Sequence, residues 1–253
     1  MINVKGLVIA ERDVGESAKS VTLLTGAMGC IEVYVRGGKK SKKSISSTQL
    51  FCYSDFSLED KLDSRGDIHY YYNSSEPIKL FYNIRLDAKR AALACYFAEL
   101  LLFSSSCGDG SGEVMRLTLN TLYMLDKDVD DIGELERLKC VFELRLLCET
   151  GFRPALVGCH VCYKHLCPEM HFNMKTGQLT CPEHTDGVDA LYDIVFDEVQ
   201  LFAVRYIALV DQKQLFGFKI SEKYLEWLSG FTGRFVEYHF GKSFDTLKFY
   251  KQL

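Results

Sequence analysis

Cys159 and Cys162 stand two residues apart, and Cys181 and His184 repeat that spacing after eighteen intervening residues. Each half can place two ligand atoms on one side of a tight turn. Two such turns brought face to face give the four-coordinate tetrahedral shell of a structural zinc. Gly177, flanked by Phe172 and Leu179, predicts a short hairpin that carries the second half to the first. His160, His165, Cys167 and His171 lie between the halves and leave the fourth ligand open. His184 is favoured because it alone completes the second turn with the spacing of the first. The same cysteines could instead be buried small hydrophobes or disulfide partners in a secreted chain, but duplicated spacing is uncommon by chance. A catalytic zinc would need an open coordination position and a nearby base. Glu169 and Glu183 are available, yet neither sits in an H-x-E or H-E-x-x-H pattern. The expectation is therefore one structural Zn2+ held by Cys159, Cys162, Cys181 and His184, with no catalytic residue.

A second stretch with chemistry runs from Arg36 to Lys43, where five of eight residues are basic and none is acidic. Such a run can be a solvated, self-repelling loop. It can also track a phosphate backbone, with Gly37 and Gly38 letting main-chain N–H groups approach phosphate oxygens. Arg36, Lys39, Lys40, Lys42 and Lys43 are the candidate nucleic-acid contacts, and the neighbouring Tyr34 is a candidate stacking ring. Phe51, Tyr53, Tyr70, Tyr71 and Tyr72 follow, and strand alternation must leave some of those rings outside.

The elements that must position these residues change character near residue 80. Before it, Val4 to Ala10, Ser20 to Thr25, Cys30 to Arg36, Thr48 to Leu58 and Asp67 to Asn73 read as strands. In the third, Ile31, Val33 and Val35 alternate with Glu32, Tyr34 and Arg36. Five such strands suit a closed barrel of the OB type, and a five-stranded SH3-like barrel gives a similar pattern. After residue 80 the period is helical. Helices are expected from Leu86 to Phe103, Glu113 to Lys127, Ile132 to Thr150, Val188 to Val210, and from an N-cap at Ser221 to Phe240. A Ser- and Gly-rich loop follows the first of these and an acidic linker, Asp126 to Asp131, the second. Arg116, Arg137, Lys139 and Arg145 read mostly as solvent-facing helix charges. The expected class is α+β and multidomain. An OB-type barrel spans 1–80, a helical domain 81–155 and 187–253, and a zinc-knuckle module is inserted at 156–186.

Composition narrows the classes. The chain has 253 residues, 47% hydrophobic and 25% charged, which excludes disorder. A formal net charge of −4 excludes a protein that is basic all over, so any nucleic-acid contact must come from a local patch. Glu11, Arg12 and Asp13 come too early for a signal peptide, and no apolar run approaches the length of a membrane span. Ten cysteines without an export signal point to free thiols and a metal site in a reducing cytoplasm.

Barrel, basic loop, helical domain and inserted knuckles occur in the order found in one family. The chain resembles the bacterial DNA repair and recombination protein RecO family over nearly its whole length. The likeness lies in Gly15-Glu16-Ser17 followed by Val21 to Thr25 and Gly29, and in Arg36-Gly37-Gly38-Lys39-Lys40. It continues in Phe142 to Leu147 leading through Gly151-Phe152-Arg153-Pro154 to Cys159 and Cys162, and in Tyr238-His239-Phe240-Gly241-Lys242 with Leu247-Lys248-Phe249. The resemblance implies a bacterial cytoplasmic, nucleoid-associated protein without catalytic turnover. It would bind single- and double-stranded DNA, anneal complementary strands and engage the acidic tail of the single-strand binding protein. With RecR it would help to load the RecA recombinase onto coated DNA. The Arg36 to Lys43 loop then matches the DNA-contacting region of the barrel, and Cys159, Cys162 and Cys181 match the zinc cysteines. The fourth zinc position is usually cysteine in the family and is His184 here. An acidic tail with an apolar end needs a hydrophobic groove rimmed by cations, for which Arg116, Arg137 and Arg145 are the candidates. The other readings are an RNA-binding protein built from an OB barrel and a zinc ribbon, and a metal-dependent nuclease.

Overall fold

A computed structural model describes residues 1–36, 46–104, 111–127, 132–185 and 191–253. The chain divides into two compact units, Met1–Asp128 with Phe244–Leu253, and Val129–Ser243.

The first unit is built on five strands, β1 (Ile2–Val14), β2 (Ala18–Thr25), β3 (Gly29–Val35), β4 (Tyr53–Leu62) and β5 (Ile68–Lys79). They form a closed barrel in the order β1-β2-β3-β5-β4, with β1 returning to β4. The β3–β5 pair is parallel and the other pairs are antiparallel. That strand order is of the OB type and settles the choice between barrels that strand count left open. Alternation fills the inside with Val4, Val8, Val21, Leu23, Ile31, Val33, Val35, Phe56 and Leu58. A register shift between Val8 and Ala10 bends β1 where it must serve two neighbours.

The fourth strand begins at Tyr53 rather than at Thr48. Phe51 adopts a left-handed φ of 63°, which ends any extended run before it. Its N–H donates to the Val8 carbonyl at 2.8 Å, and the Val8 N–H donates to the Cys52 carbonyl at 3.0 Å. The preceding residues are pinned as a turn. The buried Lys19 ammonium reaches the Thr48 carbonyl at 2.8 Å and Glu11 at 2.9 Å, and Arg85 donates to the Leu50 carbonyl at 2.5 Å.

Among the described residues, a 3-10 turn at Tyr82–Leu86 and three α-helices complete this unit: α1 (Ala88–Ser104), α2 (Ser111–Asp126) and, from the chain's end, Asp245–Tyr250. Asp126, expected in an acidic linker, instead ends α2 buried. It accepts from the Asn83 N–H at 2.9 Å and pairs with Lys79 at 2.7 Å. The terminal helix buries Leu247 and Tyr250, and Thr246 joins it to Glu99 of α1.

In the second unit, α3 (Ile132–Glu149) is followed by β6 (Ala155–Cys159), β7 (Glu169–Asn173), β8 (Gln178–Thr180) and β9 (Asp193–Asp197), then α4 (Glu198–Leu209) and α5 (Glu222–Phe240). The strands form one sheet in the order β6-β8-β7-β9. The long helix expected from Val188 is thereby corrected: Asp193–Asp197 is a strand paired with β7, and the helix starts at Glu198. Asp197 decides the boundary. Its carboxylate accepts from the Gln200 N–H while the Gln200 side chain accepts from the Asp197 N–H, a reciprocal cap that fixes the first turn there. An aromatic core joins sheet to helix, with Phe172 of β7 stacked on Phe196 of β9 at 5.2 Å and both edge-on to Phe231 of α5.

Lys139 and Arg145, expected to face solvent, are 1% and 7% exposed. Lys139 on α3 binds Glu136 at 2.9 Å, Glu143 at 3.3 Å and Ser229 of α5 at 3.0 Å. Burial works against its charge, but Glu143, Cys140 and Glu136 outweigh it and raise the pKa above the usual lysine range. Arg145 donates to the Ile207 and Val210 carbonyls at 3.2 and 2.8 Å, capping the end of α4, and pairs with Glu149 at 2.6 Å. Both helical cations are internal because the ends and faces they satisfy are themselves buried.

Candidate metal centre and nucleic-acid face

The metal centre is assembled by the sheet of the second unit. Gly177 takes a left-handed φ of 68° and turns β7 into β8, placing Phe172 opposite Leu179 as the spacing implies. The β8 strand then delivers Cys181 and a short 3-10 turn, Pro182–His184, while parallel β6 delivers Cys159 beside Leu179. The first half is a tight turn in which the Tyr163 N–H donates to the Cys159 carbonyl and the Cys159 N–H to the Lys164 carbonyl, both at 2.9 Å. The turn closes over Gly158, where a Cβ would lie 3.0 Å from the carbonyl oxygens of Tyr163 and Lys164. The second half closes one residue tighter, with the His184 N–H on the Cys181 carbonyl at 2.9 Å.

Cys159, Cys162, Cys181 and His184 bring their ligand atoms within 4.8 Å of one another. Cys162 Sγ and Cys181 Sγ are 3.8 Å apart, Cys159 Sγ and His184 Nδ1 3.8 Å, and Cys181 Sγ and His184 Nδ1 3.1 Å. Metal–sulfur bonds of about 2.3 Å at tetrahedral angles put two sulfurs about 3.8 Å apart, so this donor set fits one metal ion. Four protein donors complete a tetrahedral shell, which is the arrangement of a structural site. Burial raises the Cys159 thiol, but backbone N–H groups of Cys162, Cys181 and Val161 outweigh it and bring the pKa down to about 6. Cys181 moves the other way, up to about 11, from burial and from the neighbouring thiols.

The remaining candidates are engaged elsewhere. His160 Nδ1 lies 3.3 Å from the Leu179 carbonyl and His165 Nδ1 2.9 Å from the Val157 carbonyl. His171 pairs with Asp193 at 2.7 Å. Cys167 is buried outside the cluster. Arg205 of α4, which no motif singles out, grips the flank of the first turn through the carbonyls of Leu156, Val157 and His165 at 2.7, 3.1 and 2.7 Å.

On the barrel, alternation in β5 turns Tyr70 and Tyr72 toward the core, where they pack against its apolar residues. Tyr71 and, beside it on β3, Tyr34 are left on the other side, their rings 6.1 Å apart. Arg36 lies 5.2 Å and Lys61 5.3 Å from the Tyr71 ring centroid. Phe51, by contrast, is buried. Lys61 was not legible as part of this face because β4 runs past Leu58, where the sequence pattern fades. The candidates Lys39, Lys40, Lys42 and Lys43 lie outside the described residues.

The three arginines considered for a tail-binding groove are not one set. Arg116 is exposed and paired with Glu113 at 2.7 Å in the first unit. Arg137 of the second unit donates to the Phe218 carbonyl at 2.8 Å and pairs with Glu134. It lines an open cleft of about 900 Å3 with Lys219, Ile220 and Leu225, whereas Arg145 is the buried cap described above.

A closed OB-type barrel with an outward aromatic and cationic face, together with a helical unit whose Cys3His cluster could hold one metal ion, defines the class of fold, one that in many proteins serves nucleic-acid binding. The sequence matches two family models, described as "Recombination protein O N terminal" over residues 1–81 and "Recombination protein O C terminal" over residues 85–248. It is 30% identical to the DNA repair protein RecO of Acetivibrio thermocellus, over all of this chain and 97% of that one. It is 27% identical to that of Alkaliphilus metalliredigens over the whole of both chains, and 27% identical to that of Dehalococcoides mccartyi over 88% and 85%. The chain belongs to the RecO family of DNA repair proteins.

Proposed function

We propose that this protein is a non-enzymatic recombination mediator. It binds single- and double-stranded DNA, anneals complementary single strands and, with RecR, helps to load RecA onto DNA coated by single-strand binding protein, whose acidic tail it engages. The observation that carries the reading is the Tyr34–Tyr71 pair flanked by Arg36 and Lys61 on an OB-type barrel. Sequence-tolerant binding needs rings for bases and cations for phosphates, and this face supplies both. The basic segment 36–43 follows β3 in the sequence and supplies four further lysines. The barrel at 1–80 thus serves as the DNA module, the helical residues 81–155 and 187–253 as the partner module, and 156–186 as a knuckle module stapled by one structural zinc. Its place of action is the bacterial cytoplasm and nucleoid; among the described residues, no helix is long and apolar enough to cross a membrane.

The test is strand annealing. Two complementary strands, coated with single-strand binding protein with or without its acidic tail, are mixed with this protein. Rapid annealing that depends on the tail supports the DNA function and the partner together. No acceleration in either case refutes the reading.

A further inference from the structure

A cleft of about 390 Å3 lies along the outer face of α5, with Ile194 of β9 on its wall. Trp227, the only tryptophan of the chain, lines it. The indole stacks parallel to Phe231 at 5.5 Å and edge-on to Phe196 at 5.3 Å, so the ring is held in place while remaining partly exposed. Lys223, Trp227, Gly230 and Arg234 follow the i, i+4, i+7, i+11 spacing of a single helical stripe. A Cβ at Gly230 would meet no atom within 4 Å, so the helix surface at that position of the lining is open. Lys223 and Arg234 form no ion pair among the described residues. At 1.5 Å per residue they stand about 6 Å and about 10 Å along the helix on either side of Trp227.

We propose that this cleft is a second single-stranded DNA site, in which an unpaired base stacks on Trp227 and the flanking phosphates meet Lys223 and Arg234. The inference rests on the DNA-binding reading but concerns residues of the second unit, not of the barrel. Cation, ring, cation is the order of groups along a strand, phosphate, base, phosphate. An acidic peptide with an apolar end calls instead for cations gathered to one side of an apolar pocket, whereas Lys223 and Arg234 stand on either side of Trp227 along this lining. Stacking requires a base out of its duplex, so the site selects single strands. Two single-strand sites on one chain suit a protein that brings complementary strands together.

The sole tryptophan is its own reporter. The full-length protein is titrated with a short oligothymidylate, following tryptophan emission and, in parallel, the anisotropy of a labelled oligonucleotide. Saturable quenching by the single strand, with none from a duplex of matched length, is the expected result. The double variant Lys223→Glu/Arg234→Glu changes only exposed side chains and should lower the affinity read by quenching about tenfold, as should Trp227→Ala read by anisotropy, with Trp227→Phe close to wild type. Binding seen by anisotropy without quenching would overturn the cleft site and leave the barrel reading standing. Absence of binding by both readouts would overturn both. Quenching by an acidic, carboxylate-ended peptide and not by the oligonucleotide would assign the cleft to a protein tail and overturn the proposal.

Discussion

Cys162 Sγ and Cys181 Sγ lie 3.8 Å apart although nineteen positions separate them in the chain. The four-residue turn that ends at Gly177 and the parallel pairing of β6 with β8 make that distance, so the metal centre and the sheet are one structure. A metal held there ties β6, β8 and the 3-10 turn to one another and stabilises the sheet by binding the folded form.

Purified protein should therefore carry about one zinc per chain, measured by elemental analysis. Cys181→Ser should bring that ratio toward zero and lower the unfolding temperature, with the barrel's strand signal retained. A metal-free wild type as stable as the loaded one would count against the staple.

Tyr163 holds a left-handed φ of 61° in the first turn of the centre while its side chain is largely exposed. A non-glycine residue in that region costs about 1–2 kcal/mol. Tyr163→Gly should recover about 1 kcal/mol, seen as a higher unfolding midpoint in denaturant at unchanged slope. A lower midpoint would mean that the ring makes a contact worth more than the backbone relief.

Arg145 satisfies carbonyls at the end of α4 from a position 7% exposed. Arg145→Met fills similar space but leaves those carbonyls without their donor and Glu149 with only the Arg153 pairing at 3.4 Å. It should cost about 2–4 kcal/mol by chemical denaturation. Arg145→Lys should recover only part of this, because a single ammonium cannot reach the same set of acceptors.

Burial pushes the thiols of Cys140 and Cys148 up to about 12 from an ordinary value of 9.0. Above pH 9 the unfolded chain releases protons that the folded chain keeps. The contribution is fully present below pH 9 and is lost as the pH rises toward 12. Each thiol should lower stability by about 1.4 kcal/mol per pH unit in that window. Cys148→Ala should flatten the alkaline slope in denaturation measured at several pH values, and an unchanged slope would show that the thiol ionises equally in both states.

Replacing Lys39, Lys40, Lys42 and Lys43 together by Ala should weaken single-stranded DNA binding. If all four neutralise phosphates, the slope of log affinity against log salt should fall by about 3. Tyr71→Ala should instead weaken binding with little change in that slope, because stacking releases no counterions. Equal slopes before and after the lysine replacements would remove the loop from the interface.

The ligand spacing, the Gly177 hairpin, the alternation of Ile31, Val33 and Val35, and the helix that Gly241 stops at a φ of 67° are all consequences of local periodicity, and the sequence by itself determined them. Each is set by neighbours within a turn or a hairpin. Tertiary structure alone decided the rest. Five residues could have been the fourth ligand, and pairing of β6 with β8 brought His184 to the three thiols while His171 went to Asp193. Parallel pairing of β3 with β5 made the barrel OB-type, an association between strands far apart in the chain that no strand announces in its own pattern. Lys139 and Arg145 look like solvent charges along α3 until α5 and the end of α4 are packed over them. Side-chain type and period report what a segment can do locally, whereas burial and coordination depend on which distant segment arrives to meet it.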